Sequence, residues 1–539
     1  MKNGLPPIWV KQYEPGVSPT LEYPAVTLSD ILHQTTEKYP EKTAFIFADR
    51  SWTYQEFNEL VSRLANALIG LGLTTGDRVG LYLPNCPQFI TGYFGIARAG
   101  GAVVPINPLL SGDDLAFIIK DSGSRIVITC TELLPALEAV ADADLKIIVT
   151  SIAALLSPEK CTVPTTANRF ALEKLLAEAP ATDPKVNIDH QSIANLQYTG
   201  GTTGRSKGAV LTHANLIANA RQFFEWFKNV YQEGEGRFLG VIPFFHIYGL
   251  TTSMIAPVMT ASSIILHTRF DINEIMQSIN KYKPSLFMGV PSMYAAIAMR
   301  ENQEYDLSSI RACVSGSAPL PPAIQEQFQK VTGGKLVEGY GLSEASPIVT
   351  VTPIYGKIKH GSIGVPISDT QIRIIDPESG EDITEPWQIG ELWVKGPQVM
   401  QGYWNKPEET ELVLTDGWLH TGDLVQMDEE GYLYIADRLK DMIIMGGEKI
   451  YPREVEDFLY THPAVKEVAV VGVPHPLRGE MPKAFVVLKE GAETTAQELR
   501  RYCIAHLSRF KVPKIQIIDA LPRNSVGKVL RRLLREEEF

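Results

Sequence analysis

Apolar and polar positions follow two periods along the first third of the chain. Residues 27–47 show helical spacing followed by a short continuous apolar run, and residues 53–71 return to helical spacing. Residues 77–83 read as a strand. The alternation then recurs, with helices predicted at 89–99 and 113–121 and strands at 102–106 and 125–129. Short apolar strands separated by helices predict parallel sheets covered by helices, and the fold class is α/β. Residues 157–187 are polar and contain Pro and Thr, which suits a surface excursion. After Asp376 the texture changes to short strand-like pieces, such as 390–394, separated by turns at 396–397, 416–417 and 430–431, so a β-rich subdomain is expected. Past Arg438 a compact α+β unit is predicted, with helices at 451–460 and 496–507 and strands at 465–473 and 484–488.

The segment YTGGTTGRSKG at 198–208 follows an apolar, strand-like stretch at 192–197 and precedes a helix pattern at 214–227 that Thr212 is placed to cap. Gly200, Gly201 and Gly204 permit close backbone approach and positive φ, so successive N–H groups can converge on anionic oxygens. Thr199, Thr202, Thr203 and Lys207 add hydroxyls and a positive charge. The pattern is that of a polyphosphate cradle. It is not a Walker A loop, because Lys207 lies between Ser206 and Gly208 rather than in a Gly-Lys-Ser/Thr sequence, and a P-loop ATPase or kinase is disfavoured.

YTGGTTG followed by SKGAVLTH resembles the phosphate loop of the acyl-adenylate-forming enzymes, which include acyl-CoA synthetases, luciferases and peptide-synthetase adenylation domains. The Gly200-Gly201 pair is similar to the bacterial long-chain fatty acyl-CoA synthetase branch. The resemblance continues in order through PFFHIYG (243–249), SGSAPLP (315–321), GYGLSEASP (339–347), DGWLHTGDLVQMDEEGYLYIADRLKDMII (416–444) and PRNSVGKVLRR (522–532). It implies a large N-terminal domain over residues 1–437 and a small mobile C-terminal domain over residues 438–539, hinged near 437–441. Composition alone would not have located that hinge.

The resemblance also implies roles for particular residues. Thr199, Gly200, Gly201, Thr202, Thr203 and Gly204 would hold phosphates, with the charge of Lys207 beside them. Glu344 would ligate Mg²⁺ with Thr199 as partner, since hard oxygen ligands suit magnesium held between protein and phosphates. Gly316, Ser317, Ala318, Glu338, Gly339, Tyr340, Gly341, Leu342 and Ser343 would surround the nucleotide, with Tyr340 offering a flat face to adenine. Asp423 would accept from ribose hydroxyls and Arg438 would lie nearby. Lys528 would reach the carboxylate and α-phosphate during adenylation. His246 is read either as a packed residue of an aromatic loop or as a gate beside the acyl carboxylate. Lys440 marks the hinge, where related branches carry Asp, and Gly446 and Gly447 would face the pantetheine arm of coenzyme A. Arg205-Ser206 departs from the proline common before the lysine, and Leu250 stands where some long-chain relatives have a tryptophan gate.

Composition bounds this reading. A chain of 539 residues, 45% hydrophobic and 21% charged, is ordinary for a globular protein with several domains, and a net charge of -12 argues against nucleic-acid partners. Cys86, Cys130, Cys161, Cys313 and Cys503 are widely spaced and odd in number, which predicts reduced thiols and a cytoplasmic protein. From 238 to 268 no residue is formally charged, yet Pro, Gly, Ser and Thr interrupt the run, so a buried pocket wall is expected rather than a membrane span. Residues 241–259 of this stretch, together with 286–298, would line the acyl pocket. The expected activity is ATP- and Mg²⁺-dependent activation of a long- or medium-chain fatty acid as acyl-AMP and its transfer to coenzyme A. The rivals are an aryl- or branched-acid ligase, a carrier-protein acyl ligase, and a non-catalytic nucleotide- or acyl-binding homologue. Monomer or homodimer, and attachment to the inner face of a membrane, are not fixed by the sequence.

Overall fold

The apolar runs of the N-terminal part assemble into two large sheets. The computed structural model describes residues 7–156, 165–199, 206–300, 304–523 and 529–536. A seven-stranded sheet runs in the order Arg169–Ala171, Lys146–Thr150, Ile126–Cys130, Arg78–Tyr82, Ala102–Pro105, Ile193–Tyr198 and Gly208–Thr212. Its strands are parallel except the last pair, an antiparallel hairpin. A nine-stranded sheet sets Thr43–Phe47, Ser263–Leu266, Arg237–Gly240, Leu286–Gly289, Ala312–Ser315 and Lys335–Gly341 side by side in parallel. Antiparallel strands close both edges of it: Arg50–Thr53 on one, Ile348–Val351 and Val365–Pro366 on the other.

Helix Pro87–Arg98 is buried along its whole length and shares one apolar cluster with Phe45, Ile264 and Val314 of the larger sheet and Val79, Leu81 and Ile128 of the smaller. A helix apolar on all sides requires cover on all sides, and two sheets supply it. Helix starts follow local chemistry: Thr27, Thr53, Thr212 and Thr495 each accept from the backbone N–H three residues on, and Asp30, Glu56, Asn215 and Glu498 bond back to them.

Of the expected surface excursion over 157–187, residues 157–164 lie outside the described residues, and the rest is mostly exposed or half-buried but carries regular structure. Arg169–Ala171 adds an edge strand beside Lys146–Thr150, and helix Leu172–Glu178 buries Leu172 and Leu176. Arg63 Nη1 donates to the Ala179 carbonyl at 2.8 Å, tying the segment to helix Tyr54–Gly70. The apolar set is too short to stand out beside its Pro and Thr neighbours. The uncharged stretch after Arg237 folds as strand, helix and strand. Its helical turns Ile247–Leu250, Thr251–Ile255 and Ala256–Met259 are continuous and almost wholly buried, the middle one widened to π geometry. No helix among the described residues is long and apolar enough to cross a membrane.

The β-rich part is a five-stranded antiparallel sheet of Gln371–Ile375, Gly390–Lys395, Trp418–Met427, Leu414–Thr415 and Leu433–Arg438. Beyond it a second five-stranded sheet joins Glu448–Ile450, Ile443–Met445, Gly479–Leu488, Val465–His475 and Lys514–Ile517. Helices Pro452–Tyr460 and Ala496–His506 pack on this sheet, whose apolar clusters are its own. The junction before it is charged. Asp437 accepts from the backbone N–H groups of Arg438 and Arg453 at 2.7 and 2.8 Å, and Asp441 pairs with Arg535 at 3.0 Å. Cys86, Cys130, Cys313 and Cys503 are free and buried, while Cys161 lies outside the described residues.

His213 opens helix His213–Phe227 at 1% exposure, and its Nδ1 accepts from the Leu28 N–H at 3.3 Å. Burial pushes its pKa down to about 4. The unfolded chain takes up a proton near pH ~6.5 and the folded one only near 4, so stability is full above the first value and is lost as pH falls between the two. His213→Asn retains an acceptor and does not titrate. Its thermal midpoint is expected to fall less steeply than that of the parent over this window, and parallel slopes would assign the acid lability to other groups.

Candidate functional site

The motifs at 198–208, 243–249, 315–321 and 339–347 each follow a strand of the two large sheets, and open α/β sheets leave their crevices at the carboxyl ends of parallel strands. Gly316, Ser317 and Ala318 follow strand Ala312–Ser315, and Ser315 pairs with Glu338 in the neighbouring strand, so the 316–318 turn lies beside Gly339, Tyr340 and Gly341. Ser317 and Ala318 are exposed, and Ser317 turns the chain at φ 68°. Gly341 is held by contact: a Cβ there would lie 2.1 Å from the Pro347 carbonyl oxygen, which accepts from the Leu342 N–H. Glu344 sits in a short 3-10 turn, Ser343–Ala345, rather than at the start of an α-helix.

The aromatic segment 243–249 is brought alongside by buried hydrogen bonds. Asn85 Nδ2 donates to the Ile242 carbonyl at 2.9 Å and its Oδ1 accepts from the Phe244 N–H at 2.7 Å. Gln197 Nε2, from the strand that enters the glycine loop, donates to the Phe245 carbonyl at 2.9 Å. Tyr248 Oη donates to the Val314 carbonyl at 2.8 Å, and its ring would lie 3.3 Å from a Cβ at Gly316, a tight contact. His246 is half-buried and its Nδ1 accepts from the Tyr248 N–H at 3.3 Å, capping the turn Ile247–Leu250. That bond orients the ring, whichever of its two readings applies.

The hairpin Ile193–Tyr198 and Gly208–Thr212 carries the glycine loop, and its ladder extends one step further through the Thr199 N–H, which donates to the Lys207 carbonyl at 3.0 Å. The Ser206 hydroxyl donates to the Thr199 carbonyl. Residues 200–205 lie outside the described residues, and Gly200, Gly201, Thr202, Thr203 and Gly204 with them. Sequence reasoning missed Tyr403. Its hydroxyl donates to Glu344 Oε1 at 2.7 Å, while the Lys207 ammonium lies 5.0 Å from its ring centre. One side chain thereby joins Glu344 to the neighbourhood of Thr199 and Lys207. The only sequence signal was Gly402-Tyr403-Trp404 between two strand-like regions.

On the nucleoside side, Asp423 and Arg438 are direct partners across the ladder of Trp418–Met427 and Leu433–Arg438. Arg438 Nε stands 3.4 Å from Asp423 Oδ1, and Tyr340 Oη donates to Asp423 Oδ2 at 2.6 Å. A carboxylate has about four lone-pair sites, so both oxygens retain acceptor capacity for further hydroxyls. Burial pushes the Tyr340 hydroxyl well above its ordinary pKa, and the Asp423 charge adds to the shift, so the phenol stays a donor. Burial also pushes the Glu338 carboxyl up to about 7 against the opposing charge of Arg453.

Gly446 and Gly447 form the exposed turn between strands Ile443–Met445 and Glu448–Ile450 at φ 62° and 92°, a pair of positive values that suits glycine. Lys440 is exposed in the turn Leu439–Asp441 that leaves the β-rich sheet. Lys528 lies outside the described residues. Arg523 and Val529, which flank its loop, are paired with each other, and Arg523 Nη2 is 2.6 Å from Glu467. Among the described residues no group of three or more His, Cys, Asp and Glu side chains is placed to hold a metal ion. Glu344 and Thr199 are hard oxygen donors, so they fit a cation such as Mg²⁺ whose remaining ligands are phosphate oxygens and water.

A family model for AMP-binding enzymes matches residues 32–404, and the model for the AMP-binding enzyme C-terminal domain matches residues 454–528. The chain is 45% identical over 551 residues to the long-chain-fatty-acid--CoA ligase of Bacillus subtilis (strain 168), with 98% of each chain covered. It is 37% identical over 503 residues to the feruloyl-CoA synthase of Amycolatopsis sp, covering 92% of this chain and 96% of that one. Among solved structures, ATP-bound MatB from Rhodopseudomonas palustris superposes with a TM-score of 0.85 at 30% identity, covering 95% of this chain and 99% of that one.

Proposed function

The chain belongs to the AMP-binding enzyme family, and we propose that it is an ATP-dependent ligase that activates a long- or medium-chain fatty acid as acyl-AMP and transfers the acyl group to coenzyme A. The observation that carries this reading is the linkage of groups from three sheets: Tyr403 joins Glu344 to Lys207 of the glycine-loop hairpin, and Tyr340 joins the strand before Glu344 to the Asp423–Arg438 pair. The B. subtilis ligase, at 45% identity over nearly the full chain, supports the fatty-acid class.

In the first step a carboxylate oxygen attacks the α-phosphorus of ATP, the bond to the bridging oxygen breaks, and pyrophosphate leaves. Two anions must meet in line, so the protein's task is to supply positive charge and position. Lys207 and the hairpin N–H groups would face the phosphates, while Tyr340 and the 316–318 turn would take the adenine. Asp423 would accept from the ribose hydroxyls, with Arg438 holding its carboxylate in place. Glu344 and Thr199 would hold Mg²⁺, which when bound offsets the charge of the polyphosphate. In the second step the coenzyme A sulfur attacks the acyl carbon, AMP leaves, and the thiol proton passes to solvent. Residues 1–437 and 438–539 would act as two domains turning about 437–441, bringing first Lys528 and then Gly446 and Gly447 to the reaction. The charged junction and the separate apolar clusters of the C-terminal sheet support that division. The free, buried Cys86, Cys130, Cys313 and Cys503 support action in the cytoplasm.

Acid-dependent release of pyrophosphate and formation of thioester decide the reading. Palmitate is expected to support both, and ferulate neither. Thioester from ferulate alone would make this an aryl-acid ligase, in line with the 37%-identical feruloyl-CoA synthase, and no pyrophosphate from any acid would end the catalytic reading. Lys528→Ala is expected to slow acyl-AMP formation by about 10²- to 10³-fold, as for loss of one transition-state donor, while thioester formation from supplied acyl-AMP keeps its rate. Equal losses in both half-reactions would remove Lys528 from its role.

Lys440→Pro fixes φ near about -65° and removes an N–H in the turn after the last shared strand. The variant is expected to retain acyl-AMP formation and to lose most of the transfer to coenzyme A. Unchanged rates for both half-reactions would place the rotation elsewhere.

A further inference from the structure

We infer that Tyr403 is a positioning residue for the polyphosphate and metal end of the site: its hydroxyl orients the Glu344 carboxylate and its ring face holds the Lys207 ammonium. The inference rests on the reading of Glu344 and Lys207 given above. Its physical basis is the way the 400–404 segment is laid down. The Gln401 N–H donates to the Val210 carbonyl at 3.0 Å, the Val210 N–H to the Gly402 carbonyl at 2.9 Å, and the Trp404 N–H to the Gly208 carbonyl at 2.8 Å. The segment is therefore an added edge on the outgoing strand of the loop hairpin, with Tyr403 paired to Ala209. Residues two apart on a strand share a face, so this pairing sets Tyr403 diagonal to Lys207. The Lys207 ammonium then lies 5.0 Å from the ring centre, within cation–π range.

The other end of the segment is tied to the metal ligand. The Met400 N–H donates to the Glu344 carbonyl at 2.8 Å, and Tyr403 Oη donates to Glu344 Oε1 at 2.7 Å, so main chain and side chain of Glu344 are both held from this segment. The Tyr403 N–H donates to Thr410 Oγ1 at 2.9 Å, which fixes the tyrosine in turn. An anion and a cation 59 and 196 positions away from Tyr403 in sequence, counting 403 − 344 and 403 − 207, are thus oriented by one ring. Partners that orient a metal ligand typically change metal affinity by about 10- to 100-fold when lost.

The test separates the two functions of the ring. Tyr403→Phe removes the hydroxyl and keeps the ring; Tyr403→Leu removes both. Binding of a non-hydrolysable ATP analogue is followed by calorimetry over a Mg²⁺ series, beside the Mg²⁺ dependence of pyrophosphate release with palmitate. Tyr403→Phe is expected to raise the half-saturating Mg²⁺ concentration by about ten-fold and to leave analogue affinity at saturating Mg²⁺ within about two-fold of the parent. Tyr403→Leu is expected to weaken analogue binding at saturating Mg²⁺ by a further factor of about two to five, the worth of an exposed cation–π contact. In a Glu344→Gln background the Tyr403→Phe effect on Mg²⁺ should shrink, because the two groups act as one unit. An unmoved Mg²⁺ titration in folded Tyr403→Phe, or an undiminished effect in the Glu344→Gln background, overturns the inference. A parent protein that releases no pyrophosphate would instead overturn the proposed reaction.

Discussion

Buried amide side chains are the interaction on which the rest of this structure depends. The segments that carry the site are irregular, and a buried backbone group without a partner costs about 1–3 kcal/mol. Asn85, Gln197, Asn219, Gln222 and Gln398, all at 3% exposure or less, meet that demand. Asn219 of helix His213–Phe227 donates to the Ile348 carbonyl at 3.0 Å and accepts from its N–H at 2.9 Å, which holds the strand leaving the Glu344 turn. Three residues along the same helix, Gln222 donates to the Ser368 carbonyl at 2.7 Å. Helical spacing thus aligns a polar seam against loops from distant parts of the chain.

That seam makes the site a property of the assembled core. Asn85 and Gln197 hold the aromatic segment from opposite sides, and Thr251 Oγ1 donates to the Ser346 carbonyl at 2.7 Å, joining the widened helical turn to the end of the Glu344 motif. The acyl, phosphate and nucleoside parts of the proposed site are therefore mechanically continuous. Loss of Asn85 alone would leave the Ile242 carbonyl and the Phe244 N–H without these partners.

The charge pattern suits a reaction between anions. Each acidic group at the strand ends already has a partner in the protein: Glu344 has Tyr403, and Asp423 has Tyr340 and Arg438. A phenol donates to a carboxylate and fixes its geometry without bringing a charge of its own. Burial pushes the Glu338 carboxyl up to about 7, and it lies toward the charge of Arg453 of the C-terminal part.

Local periodicity and motif order were sufficient for the α/β class, for the strand and helix alternation up to residue 130, for the threonine cap at Thr212 and for the α+β texture past Arg438, because each is written in contiguous residues. The edge strand Arg169–Ala171 was not legible, since its few apolar residues acquire meaning only beside Lys146–Thr150. Asp423 and Arg438 stood out through a motif, yet their pairing depends on a ladder register that no single segment specifies. Tyr403 was invisible for the same reason: its partners Glu344 and Lys207 follow strands of two different sheets, and only strand pairing at Ala209 sets one ring between them. Sequence determined which residue types were available for phosphate, metal and nucleoside. Tertiary structure decided which of them meet, because the contacts follow from burying two sheets against one helix and from satisfying the loop backbones left at their edges.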